Sequence, residues 1–101
     1  MDKIYSIDEI ESKTKDIFLK NNVARAYLFG SYASGSPSET SDIDIAVDTG
    51  GNISFLRVCG VMEEISNALE KKVDLFDFRE IKTDSNIMKE ILQKGVLLYE
   101  A

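Results

Sequence analysis

Ile7, Ile10, Thr14, Ile17 and Phe18 recur at helical intervals, the period that gathers side chains on one face. Ser6 and Glu9 stand at the head of this run in the spacing of a capping box. The pattern predicts a helix that opens at Ser6 and is ended by Asn21 and Asn22. The period then changes. Val23 to Phe29 reads as a buried strand, and a second strand, closed by Val47, alternates acids with isoleucines from Asp42. From Ser54 onward Phe55, Val58, Cys59, Met62, Ile65 and Leu69 make a second helical stripe, expected to be core. Val73 to Phe78 predicts a third strand. Asp84 or Ser85 caps a helix carrying Ile87, Met88, Ile91 and Leu92, which Gly95 stops, and Val96 to Tyr99 is a last short strand. The order α-β-(short α)-β-α-β-α-β, without repeats, gives an α/β domain over residues 1–101, with a small mixed sheet and helices mainly on one face.

Composition narrows the chemistry. The 101 residues suffice for one domain, and 44% hydrophobic with 30% charged residues suits a globular one. A net charge of −6 argues against a preformed basic track, so no direct nucleic-acid contact is expected. With no histidine, an imidazole general base and Ser-His-Asp chemistry are excluded. The single Cys59 excludes an internal disulfide, and its place in the apolar stripe predicts a buried thiol. No apolar run has the length of a membrane span and Met1-Asp2-Lys3 opens no secretory signal, so a cytoplasmic location is expected. The Gly-rich stretch Asp48 to Asn52 lacks the lysine and spacing of a P-loop and reads as a loop.

The chemistry concentrates between Leu28 and Val47. Side chains in a strand alternate faces, so Asp42 and Asp44 point the same way and Ile43 and Ile45 the other. Asp fits poorly on a half-buried pleated surface, and two in one strand call for a divalent cation or a solvated edge. Gly30 ends the preceding strand, where a missing Cβ lets backbone approach a ligand. Ser31 is read as the N-cap of a short helix aimed at phosphate. A third acid is offered by Asp74 or Asp77. Three apart, they face opposite sides, and Asp74 shares its face with Phe76 and Phe78.

Gly30-Ser31, ten residues, then Asp42-Ile43-Asp44 resembles the signature of the polymerase-beta-like nucleotidyltransferase superfamily. Within it, the chain is similar to the minimal nucleotidyltransferases, the antitoxin partners of small helical HEPN-domain toxins. The resemblance implies that Asp42, Asp44 and Asp74 are catalytic and hold two Mg²⁺ ions, with Gly30 and Ser31 binding ATP as nucleotide donor. It selects Asp74 over Asp77, and implies transfer of AMP to a toxin hydroxyl, that of a tyrosine. One departure is that members often carry Arg where this sequence has Ser34. Two rivals stay open: a non-catalytic subunit that neutralises its toxin by contact, and a small-molecule adenylyltransferase. So does the oligomeric state, homo- or hetero-oligomer. Tyr5, Phe18 and Tyr99 are candidates for an apolar docking region, with core or rim the rival reading.

Overall fold

Ser6 starts the first helix in the way the capping box requires. Its Oγ accepts from Glu9 N at 3.1 Å, and its own N–H donates to Glu9 Oε1 at 2.9 Å. Helix α1 then runs Ile7–Lys20 and closes at Asn21, with Asn22 in the left-handed region at φ 60°. The computed structural model describes residues 3–51 and 53–101. Met1, Asp2 and Asn52, the last belonging to the expected Gly-rich loop, lie outside them. Strand β1 is Arg25–Phe29, helix α2 Ser31–Ser34, strand β2 Ile43–Asp48, helix α3 Phe55–Leu69 and strand β3 Val73–Asp77. A 3-10 turn over Phe78–Glu80, helix α4 Asn86–Lys94 and strand β4 Val96–Glu100 follow. Ser54 and Ser85 cap α3 and α4 through their hydroxyls, so that of the two caps offered for α4, Asp84 and Ser85, the serine is the one used.

The strands lie in the order β3-β2-β1-β4. β1 runs antiparallel to β2 and β4, while β2 and β3 are parallel and joined through α3. Alternation divides the side chains between two layers. Ile43, Ile45 and Val47 of β2 join Ala26, Leu28, Val73 and Leu98 against α1 and α3, whose Ile10, Phe18, Val58, Val61, Ile65 and Leu69 complete the main core. Each such fully buried branched or aromatic side chain contributes about 1.5–3 kcal/mol. The opposite face is thinly covered. There Phe29 and Ala46 pack on Ile91 of α4, with Tyr27, Phe76, Phe78 and Ile81 around them. The two long helices thus share one face, and the face left to α4 and the 3-10 turn has room for a site.

Several details depart from the hydrophobic pattern. Cys59 is exposed, not buried. The buried line of α3 is Val58, Val61, Ile65 and Leu69, at 3-4-4 spacing, and it rotates Cys59 and Phe55 to the outside. α4 meets the sheet through Ile91, so Leu92, one position on, is 75% exposed. Tyr5 and Phe18 are core: Tyr5 Oη donates to the Leu69 carbonyl at 2.6 Å, and Phe18 is fully buried against Tyr99. That removes them as a docking region. No described helix is long and apolar enough to cross a membrane.

Candidate active site

Parallel pairing places Asp44 directly opposite Asp74, and antiparallel pairing places Phe29 opposite Asp44 on its other side. With Ile43 and Ile45 committed to the main core, Asp44 and Asp74 face the thinly covered side, both half-buried. Asp42 precedes the first residue of β2 at the same end of the sheet, its Oδ2 3.6 Å from Lys72 Nζ. Among the described residues no three His, Cys, Asp or Glu side chains form a ready metal cage. The close pair is Asp44 with Asp74, and Asp42 stands beside it, partly offset by Lys72.

Gly30 follows β1 and carries two separate demands for glycine. Its φ is 76°, which L side chains rarely adopt, and a Cβ there would overlap Asp44 Oδ2. The backbone thus passes against Asp44. Gly30, rather than Ser31, occupies the N-cap position of α2, because its carbonyl accepts from the Ala33 and Ser34 N–H groups. Ser31 is instead the first helical residue. α2 ends at Gly35, φ 83°. Ser34 is exposed, its Oγ 3.2 Å from both the Ser31 carbonyl and Ser36 Oγ.

The surroundings of Asp44 disfavour its charge. Burial, then the neighbouring carboxylates Asp74, Asp42 and Glu90, push the Asp44 carboxyl up to about 6, while Lys72 acts the other way. Hard oxygen donors in negative excess are the chemistry that Mg²⁺ takes, so these residues fit that ion. Asp77 has a different task. It is buried, caps the 3-10 turn, and accepts from Arg79 N at 2.9 Å and Nη2 at 2.6 Å. The Arg79 guanidinium holds its carboxyl below the usual range.

The apolar pattern of α4 passes over Glu90. Its Oε2 accepts from Gly30 N at 2.8 Å. It lines a cleft of about 560 Å³ together with Gly30, Ser31, Ser34, Lys89 and Lys94, within the range of small-molecule sites. The sequence signal for it is a polar line at helical spacing, 86, 89, 90, 93 and 94, beside the apolar residues of α4.

Residues 12–101 match the polymerase beta nucleotidyltransferase family, and the chain belongs to it: it is a nucleotidyltransferase. Within the family its likeness is to the minimal nucleotidyltransferase antitoxins. A candidate protein adenylyltransferase of Methanocaldococcus jannaschii, MJ0435, is 42% identical over 76 residues, covering 75% of this chain and 82% of that one. The crystal structure of a toxin–antitoxin complex with AMP-PNP superposes with a TM-score of 0.77 at 29% identity, over 90% of this chain and 73% of that one. The complex of a tri-AMPylated Shewanella oneidensis HEPN toxin with its MNT antitoxin gives a TM-score of 0.72 at 26% identity, over 94% and 73%.

Proposed function

We propose that this chain is the antitoxin of a toxin–antitoxin pair and a protein adenylyltransferase, moving AMP from ATP to a tyrosine hydroxyl of a HEPN-type toxin. The observation that carries the reading is the Asp44–Asp74 pair, set directly across parallel strands and against the backbone of Gly30. Asp42, Asp44 and Asp74 would hold two Mg²⁺ ions, which when bound neutralise the acids and the triphosphate and favour in-line displacement. The chain's own residues do the rest. Gly30 lets phosphate come close to the acids, and the Ser31 hydroxyl, not used as a cap, offers a donor to it. Asp74 takes up the proton that the acceptor hydroxyl loses. The acceptor oxygen then bonds to the α-phosphorus as the bond to pyrophosphate breaks. The tri-AMPylated toxin held by the Shewanella MNT antitoxin supports the acceptor class, and the AMP-PNP complex supports ATP as donor. A cytoplasmic location goes with this reading.

Intact-mass measurement of a HEPN toxin co-expressed with this chain tests it. The toxin should gain one or more AMP residues with wild type and none with Asp44→Asn. An unchanged toxin mass in a stable complex would replace the enzyme with a contact inhibitor.

A further inference from the structure

α4 turns a polar line toward the site. Asn86, Lys89, Glu90, Gln93 and Lys94 share one side of the helix, related in the steps of three and four 86/89/93 and 86/90/94, and all five line the cleft opposite Gly30, Ser31, Ser34 and Ser36. On its other side Ile91 is buried with Phe29 and Ala46, which fixes the rotation of the helix and keeps the polar line over the cleft. Glu90 bridges the gap, its Oε2 taking the Gly30 N–H at 2.8 Å. A backbone donor at a Gly-Ser turn is thus already satisfied by an anion, and two ammonium groups flank that anion on the helix.

Resting on the nucleotidyltransferase reading of Gly30 and Ser31, we infer that α4 is the phosphate-gripping wall of the site: Lys89 and Lys94 bind the phosphates of the nucleoside triphosphate, which displace the Glu90 carboxylate from the Gly30 N–H. Three observations converge. Ser34 leaves the glycine-serine loop without a cation of its own, and the side chains lining the cleft that carry positive charge are Lys89 and Lys94, across from that loop. The two lysines are five positions apart, about 7.5 Å along the axis, so their flexible stems can reach different phosphates. With Glu90 in place the acids and Glu90 form one negative field, and phosphate enters only once that carboxylate swings away.

Binding of three probes tests the inference by calorimetry in Mg²⁺: AMP-PNP, inorganic tripolyphosphate and adenosine. Lys89→Ala and Lys94→Ala should each weaken AMP-PNP and tripolyphosphate by up to about tenfold, the loss of one charge-assisted contact, while leaving adenosine unchanged. Glu90→Gln keeps an acceptor for the Gly30 N–H and removes the charge, so it should tighten both phosphate probes several-fold. Ser31→Ala is the control for the underlying site. Weaker binding in Ser31→Ala with wild-type binding in both lysine variants would overturn the α4 wall and leave the nucleotide site standing. No phosphate binding by wild type, or no effect of Ser31→Ala and the lysine variants alike, would overturn both. Equal losses for adenosine and AMP-PNP would show a distorted cleft rather than a lost phosphate contact. Weaker binding in Glu90→Gln would make Glu90 a ligand instead of the displaced anion.

Discussion

Asp44 pays in the folded protein for the place it holds. Its carboxyl keeps a proton up to about pH 6, whereas an unperturbed aspartate releases it near 3.8. A proton held more tightly by the folded state stabilises it fully below about pH 3.8, and that contribution is lost as the pH rises through about 6. In metal-free solution the melting temperature of wild type should therefore fall relative to Asp44→Asn between those limits, and added Mg²⁺ should raise wild type alone. Parallel melting curves for the two proteins across that window would show that Asp44 is not under this tension. Gly30 supplies a sharper case at the same scale. Gly30→Ala and Gly35→Ala both force a residue to positive φ, Gly35 in the left-handed helical region and Gly30, at ψ −155°, in a region nearly closed to L side chains, and only at Gly30 does the new Cβ meet an atom, since Gly35 has nothing within 4 Å. Gly35→Ala should cost about 1 kcal/mol and Gly30→Ala more, with an upper range of roughly 3 kcal/mol or above as Asp44 is pushed aside. Chemical denaturation of the two variants checks the order, and equal costs would mean that both the Gly30 backbone and Asp44 relax freely.

Among the elements, those that begin with a local hydrogen bond were the most legible. Ser6, Ser54 and Ser85 each cap a helix because a serine hydroxyl satisfies an N–H within three residues, a relation written in sequence alone. Strand alternation likewise separated the two acids of β3. Asp77 is locked to Arg79 beneath the sheet and Asp74 faces Asp44. Asp77→Ala should then cost roughly 1–3 kcal/mol of stability through its lost buried hydrogen bonds, with transfer retained per folded molecule. Asp74→Ala should do the reverse. Activity normalised to the folded fraction distinguishes them, and a dead but stable Asp77→Ala would invert the roles. What the pattern missed depends on contacts between elements. Cys59 lies at a correct helical interval, yet α3 meets the core along Val58, Val61 and Ile65, a second apolar line at helical spacing, and packing against the sheet decides between the two. Glu90 and Gly30 are sixty positions apart, and only the packing of α4 on β1 through Ile91 brings them together.

At the scale of the whole molecule, the sheet separates what must stay fixed from what must give. β1 and β2 are flanked by a strand on each side, and they carry Gly30 at the end of one and Asp44 within the other. α4 is tied to the sheet face through one fully enclosed side chain, Ile91, with most of its remaining surface open. Opening of α4 therefore exposes little apolar area, whereas opening β1 dismantles the sheet. In deuterium-exchange mass spectrometry the amides of β1 and β2 should exchange only through global unfolding, and those of α4 orders of magnitude sooner. Nucleotide should slow α4 far more than the strands. Equal protection of α4 and β1 in the free protein would mean that the helix does not open on its own. With unequal protection, the residence time of bound nucleotide should become a property of α4: Asp44 is held by some of the slowest-exchanging amides in the molecule, and the rate at which nucleotide leaves should be set by some of the fastest.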